Sequence, residues 1–63
     1  MLRYAVVLFF HERLDRKWEL LCDVVKKDFE GIQEAEKYRS GYLSEFPSIN
    51  VQNLQVVQYS TVS

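Results

Sequence analysis

From residue 2 to residue 10 the chain is apolar at nearly every position. A short continuous apolar run fits either a central strand or a buried helix. Tyr4, Val6, Val7, Phe9 and Phe10 are strand formers, so the run predicts a strand. With both faces apolar, it belongs in the middle of a sheet. Residues 11–17 (HERLDRK) are charged and predict a connecting loop. Residues 18–25 (WELLCDVV) predict a second strand. Trp18, Leu20, Cys22 and Val24 share one face of it, and Glu19, Leu21, Asp23 and Val25 the other. Two such runs separated by seven residues form a hairpin with a long loop.

The pattern changes at Lys26-Lys27-Asp28. Over residues 29–45 apolar positions recur at helical spacing: Ile32, Ala35, Tyr38 or Arg39, Tyr42 or Leu43, then Phe46. Asp28 is the candidate N-cap, and Glu30 suits the positive end of the helix dipole. Gly31 blurs the start. Ser40-Gly41 could end the helix, but Tyr42, Leu43 and Phe46 continue the stripe, so the helix is expected to reach Glu45 and to stop before Pro47. Residues 49–62 predict a third strand. Leu54 and Val56 share one parity while Val51, Val57 and Tyr59 share the other, which predicts a bulge or a strand apolar on both faces.

The order ββαβ constrains the arrangement. A hairpin makes the first two strands antiparallel, and a helical crossover returns the third parallel to the second. Placing the third beside the first gives order 2-1-3, with the most apolar strand in the centre. The predicted fold is α+β, a single small domain over residues 1–63. It has a three-stranded antiparallel sheet of order 2-1-3 with one helix packed on one face.

One helix leaves one sheet face bare. Tyr4, Val6, Leu8, Phe10, Leu20, Cys22, Val24, Leu54 and Val56 are assigned to the helix side. The other side then carries Ala5, Val7, Phe9, Leu21, Val25, Val57 and Tyr59, where a solvated antiparallel sheet would carry polar residues. An apolar patch of that kind marks an interface. Phe9, Leu21, Val25, Val57 and Tyr59 are its expected contact residues.

Charge sharpens this. The chain has 8 basic and 9 acidic residues, and none of these lies beyond Glu45. The third strand is therefore an uncharged edge strand, lacking the lysines and prolines that normally keep such edges from pairing. Its edge or face is expected to be occupied by another protein or by its own copy, as a homodimer. Residues 1–27 carry a balance of +2 and residues 28–63 one of −3. An alternative is thus a small nucleic-acid-binding regulator using Arg13, Arg16 and Lys17 with Lys26 and Lys27. Acidic neighbours dilute this cluster, and no RNA-binding signature accompanies it.

Chemistry has little to stand on. His11 beside Glu12 has no nucleophile placed by a motif, and reads as an exposed loop residue. Cys22 reads as a small buried hydrophobe, with no second cysteine to pair with. Asp28, Glu30, Glu34 and Glu36 face no second acidic cluster, and read as a solvated helix face. No catalytic residue, metal or cofactor is expected. The run at residues 4–10 is too short to span a bilayer and lacks a cleavage site after it, and a lone cysteine suits a reducing compartment; a cytoplasmic protein is expected. A chain this small with no internal staple has reason to gain stability from a partner. The expectation is a non-enzymatic protein-binding module, accessory or inhibitory, of the kind that phages and mobile elements also carry.

Overall fold

A computed structural model describes residues 1–62. The elements run β1 (Leu2–Leu14), β2 (Lys17–Phe29), α1 (Ile32–Glu45), a 3-10 turn (Val51–Asn53) and β3 (Leu54–Ser60). The three strands form an antiparallel sheet of order β2-β1-β3, with α1 packed on one face. The expected α+β architecture and strand order are both present.

The charged segment 11–17 is not a loop. β1 continues to Leu14, β2 starts at Lys17, and only Asp15 and Arg16 turn. Both have left-handed backbone, at φ 49° and 68°. This is the habit of a two-residue type I′ turn, whose twist matches that of the flanking strands. The turn fixes Leu14 opposite Lys17, and hence Phe9 opposite Cys22 and Val7 opposite Val24. Opposed residues in an antiparallel pair share a face. Trp18, Leu20, Cys22 and Val24 therefore lie with Arg13, His11, Phe9 and Val7, on the face away from the helix. This reverses the expected facing of β2. The two-residue turn sets the parity, and it is the opposite of the one assigned on the basis of a long loop.

Further along, β2 holds two residues more than β1 does. The register shifts between Val7 and Val6 and again between Val6 and Tyr4. These bulges lie in β2, not in the third strand; β3 pairs with β1 without a shift, from Leu54 opposite Leu8 to Ser60 opposite Leu2. Val25 follows Val24 onto the helix side by alternation, and the first bulge keeps Lys26 on that side as well, opposite Val6. Asp28, at φ 69°, is part of the second. It is not the N-cap of the helix: Gly31 takes that place, without a side-chain cap.

The helix runs through Gly41 to Glu45, and Phe46 closes it with an N–H···O bond to Tyr42. Residues 49–53 are not strand. Asn50 Oδ1 accepts the Gln52 N–H at 3.0 Å, capping the 3-10 turn. Asn is a stronger cap than strand former, and this local bond outcompetes the β-preference of Ile49 and Val51. Arg39 of α1 then fastens the segment. Its Nε donates to the Leu54 carbonyl at 2.6 Å, and its Nη2 to that of Val51 at 2.7 Å.

The core is small. Val6, Ala35 and Leu54 are fully buried, and Tyr4, Leu8, Val25, Phe29, Tyr38, Tyr42, Leu43, Ile49 and Val56 pack around them. Ala35 at the contact lets the helix approach the sheet closely. The helix lies chiefly over β1 and β3, which leaves β2 partly uncovered on this side too.

β3 ends its pairing at Leu8. Beyond that point the hairpin continues alone as a two-stranded arm, and every residue from His11 to Leu20 is exposed. The arm stretches the molecule to 40 × 30 × 13 Å, with a radius of gyration of 13.2 Å. A compact chain of this length would have about 10.6 Å.

Candidate functional site

The face of the sheet away from the helix is built in rows of opposed residues. From the arm tip inward they are Arg13 and Trp18, His11 and Leu20, Phe9 and Cys22, then Val7 and Val24. Ala5 and its partner Val57 continue the face, with Tyr59 one row beyond. At the inner end Ala5, Val7, Val24, Lys27, Val57 and Tyr59 line a shallow depression of about 260 Å³. Ala5 and Val7 are buried beneath their neighbours, but the outer rows are not. Trp18 is 70% exposed, Leu20 61% and Val24 57%. The outcome is an apolar strip running the length of the hairpin, with cations only at its ends.

Of the expected contact residues, Phe9, Val57 and Tyr59 are on this open face. Leu21 and Val25 are not. Leu21 sits opposite Phe10 on the other side of the arm, and Val25 packs against the helix core. Trp18, Leu20 and Val24 take their places. The signal that could have found them is the Asp15-Arg16 turn, since Asp tolerates left-handed backbone. Cys22 is exposed on the open face and not buried. His11 is exposed as expected, but on a strand.

One polar clasp closes the inner end. The Tyr59 hydroxyl donates to Asp28 Oδ1 at 2.6 Å and accepts the Asp28 N–H at 3.0 Å. The two residues belong to opposite edge strands, so the clasp bridges β1. The hydrogen bond to the Asp28 carboxylate raises the Tyr59 pKa above its ordinary value, because ionising the phenol would break it; desolvation adds to this.

A second feature lies beside the helix. The rings of Phe29, Tyr38, Tyr42 and Phe46 follow one another, tilted, stacked and tilted in turn, with ring centroids 5.5, 6.2 and 4.8 Å apart. Phe29, Tyr38 and Tyr42 line an open groove of about 510 Å³, rimmed by Glu34, Lys37 and Glu45. Lys26 Nζ lies 5.1 Å from the Tyr38 ring centre and 5.7 Å from that of Phe29. The rings thus already hold a cation of their own chain.

The basic residues do not converge. Arg13, Arg16 and Lys17 are at the arm tip among Glu12, Asp15 and Glu19, with Arg13 and Lys17 on opposite faces. Lys26 is about 30 Å further along β2, against the aromatic stack. Lys27 is on the open face. Glu30 pairs with Arg3 at 3.2 Å, and Glu34 faces the groove. Among the described residues no group of three or more His, Cys, Asp or Glu is placed to hold a metal ion, and no helix is long and apolar enough to cross a membrane. Compared with protein families, curated proteins and solved structures, the chain matches none.

Proposed function

We propose that this chain is a small non-enzymatic protein-binding module that docks through the open face of its sheet. The observation that carries the reading is the apolar strip Trp18, Leu20 and Val24, each more than half exposed, which starts on the two-stranded arm and runs onto the three-stranded sheet, on the face away from the helix. Large apolar side chains in one contiguous surface patch are the mark of a docking site. Trp18 is the natural anchor, since a buried indole contributes more to an interface than most side chains do. Such a module acts by occlusion or adaptation: it covers part of a larger protein or joins two chains. The uncharged outer edge of β3 lies beside this face and can extend the contact by strand addition.

The test is a capture experiment in the native host with three baits. These are the wild type, Leu20→Asp on the open face, and Ser44→Lys on the outer side of the helix. The wild type and Ser44→Lys should retain the same protein, and Leu20→Asp should lose it. Identical capture by all three baits would overturn the reading.

A further inference from the structure

We propose that the occupant of the open face is a second copy of this chain, stacked sheet on sheet about a two-fold axis that crosses the strands at the Phe9–Cys22 row. This rests on the reading of that face as a docking surface and names its partner.

Area is the first argument. A folded monomer of 7.5 kDa exposes about 4,200 Å². This chain exposes 5137 Å². The excess, roughly 900 Å², is close to the ~800 Å² that each partner hides in a standard interface. Pairing at a strand edge would leave Trp18, Leu20 and Val24 in water. Pairing through the face covers all three.

The layout of the face is the second argument. Five rows run from Arg13 and Trp18 at the tip to Ala5 and Val57, with the Arg3–Tyr59 row beyond them at the base, and Phe9 with Cys22 is the middle of the five. Sheets stacked about 10 Å apart keep their strands nearly aligned. A two-fold at the middle row lays each strand antiparallel over its own copy. Phe9 then meets the partner's Phe9, and Leu20 meets the partner's Val24. The ends match as well. Trp18 comes over the partner's Lys27, a cation above an indole, and Arg13 reaches toward the partner's Asp28 carboxylate beside Tyr59. The middle rows bring Phe9, Leu20 and Val24 together with the uncharged ring of His11 over the partner's Val7, and Arg13 and Lys27 at the ends find an acid and an aromatic. The pairing is isologous, so it stops at two chains.

Light scattering after gel filtration at millimolar concentration tests this. The wild type should have twice the mass of one chain. Leu20→Asp and Val24→Asp, each with an unchanged far-ultraviolet circular dichroism spectrum, should fall to the mass of one. A single-chain mass for the wild type overturns the proposal, and so does a two-chain mass that survives both substitutions. A monomer whose capture of a host protein is still abolished by Leu20→Asp overturns the dimer and keeps the docking reading. A monomer whose capture ignores Leu20→Asp removes both.

Discussion

At the scale of single residues, backbone conformation explains more of this chain than side-chain chemistry does. Arg16 holds φ 68° in a two-residue turn where glycine has no steric penalty. Arg16→Gly should therefore stabilise the hairpin, by about 0.5–1 kcal/mol after allowing for the looser unfolded chain. Gly41 is the converse case. It lies in the helix interior, and a Cβ built there meets nothing within 4 Å. Gly41→Ala should add about 1 kcal/mol, which for a domain this small raises the melting temperature by about 4–8 °C. Thermal unfolding by circular dichroism checks both. Tyr59 gives a prediction in pH. Its folded pKa is raised above the unfolded value, so the Asp28–Tyr59 clasp contributes fully below pH ~10 and is lost as pH climbs through the folded pKa. In an ultraviolet phenolate titration Tyr59 should ionise above the ordinary tyrosine range, and Asp28→Asn should bring its transition back down.

At the scale of elements, the sequence was legible where periodicity is strong. The central strand, the helix through Gly41, the stop before Pro47 and the ββαβ order all follow from pattern and topology. Three things did not. Asp15-Arg16 lacks the glycine that announces a type I′ turn, so the charged run predicts a seven-residue loop where two residues turn, and with it the opposite parity for β2. The bulges in β2 leave no mark in an apolar alternation that tolerates an extra residue. The start of β3 was hidden by Ile49 and Val51, whose preference yields to the Asn50 cap. Arg39 had no signal at all, being one of two positions offered for a helical stripe. It ties α1 to the 3-10 turn and to the first residue of β3. Hydrogen bonds from a charged donor are worth about 1.5–3 kcal/mol each. Arg39→Ala should thus cost about 2 kcal/mol or more. Arg39→Lys should recover only part of it, since an ammonium cannot reproduce the fork. Denaturant unfolding of the three proteins decides.

At the scale of the whole molecule, a 63-residue chain has put about a third of its strand residues, 9–14 and 17–22, into an arm that α1 does not cover. An isolated two-stranded ribbon is marginal in water. This one is longer than the body requires and apolar along one side. The uncharged segment after Glu45 pointed to that side by way of β3; Trp18, Leu20 and Val24, on the other edge strand, make the stronger part of the surface. A second copy on the open face would account at once for the length of the arm, the excess area and the apolar rows.

Cys22 lies in the middle row of that face and is the chain's only cysteine. The stacked two-fold brings it across from the partner's Cys22, too far for a disulfide at sheet-to-sheet spacing but within reach of a short bismaleimide. Treating the folded wild type with that reagent at high concentration should yield mostly a covalent two-chain product joined at Cys22, which Leu20→Asp suppresses. Single-chain adducts alone, formed as readily in the wild type as in Leu20→Asp, would contradict the account.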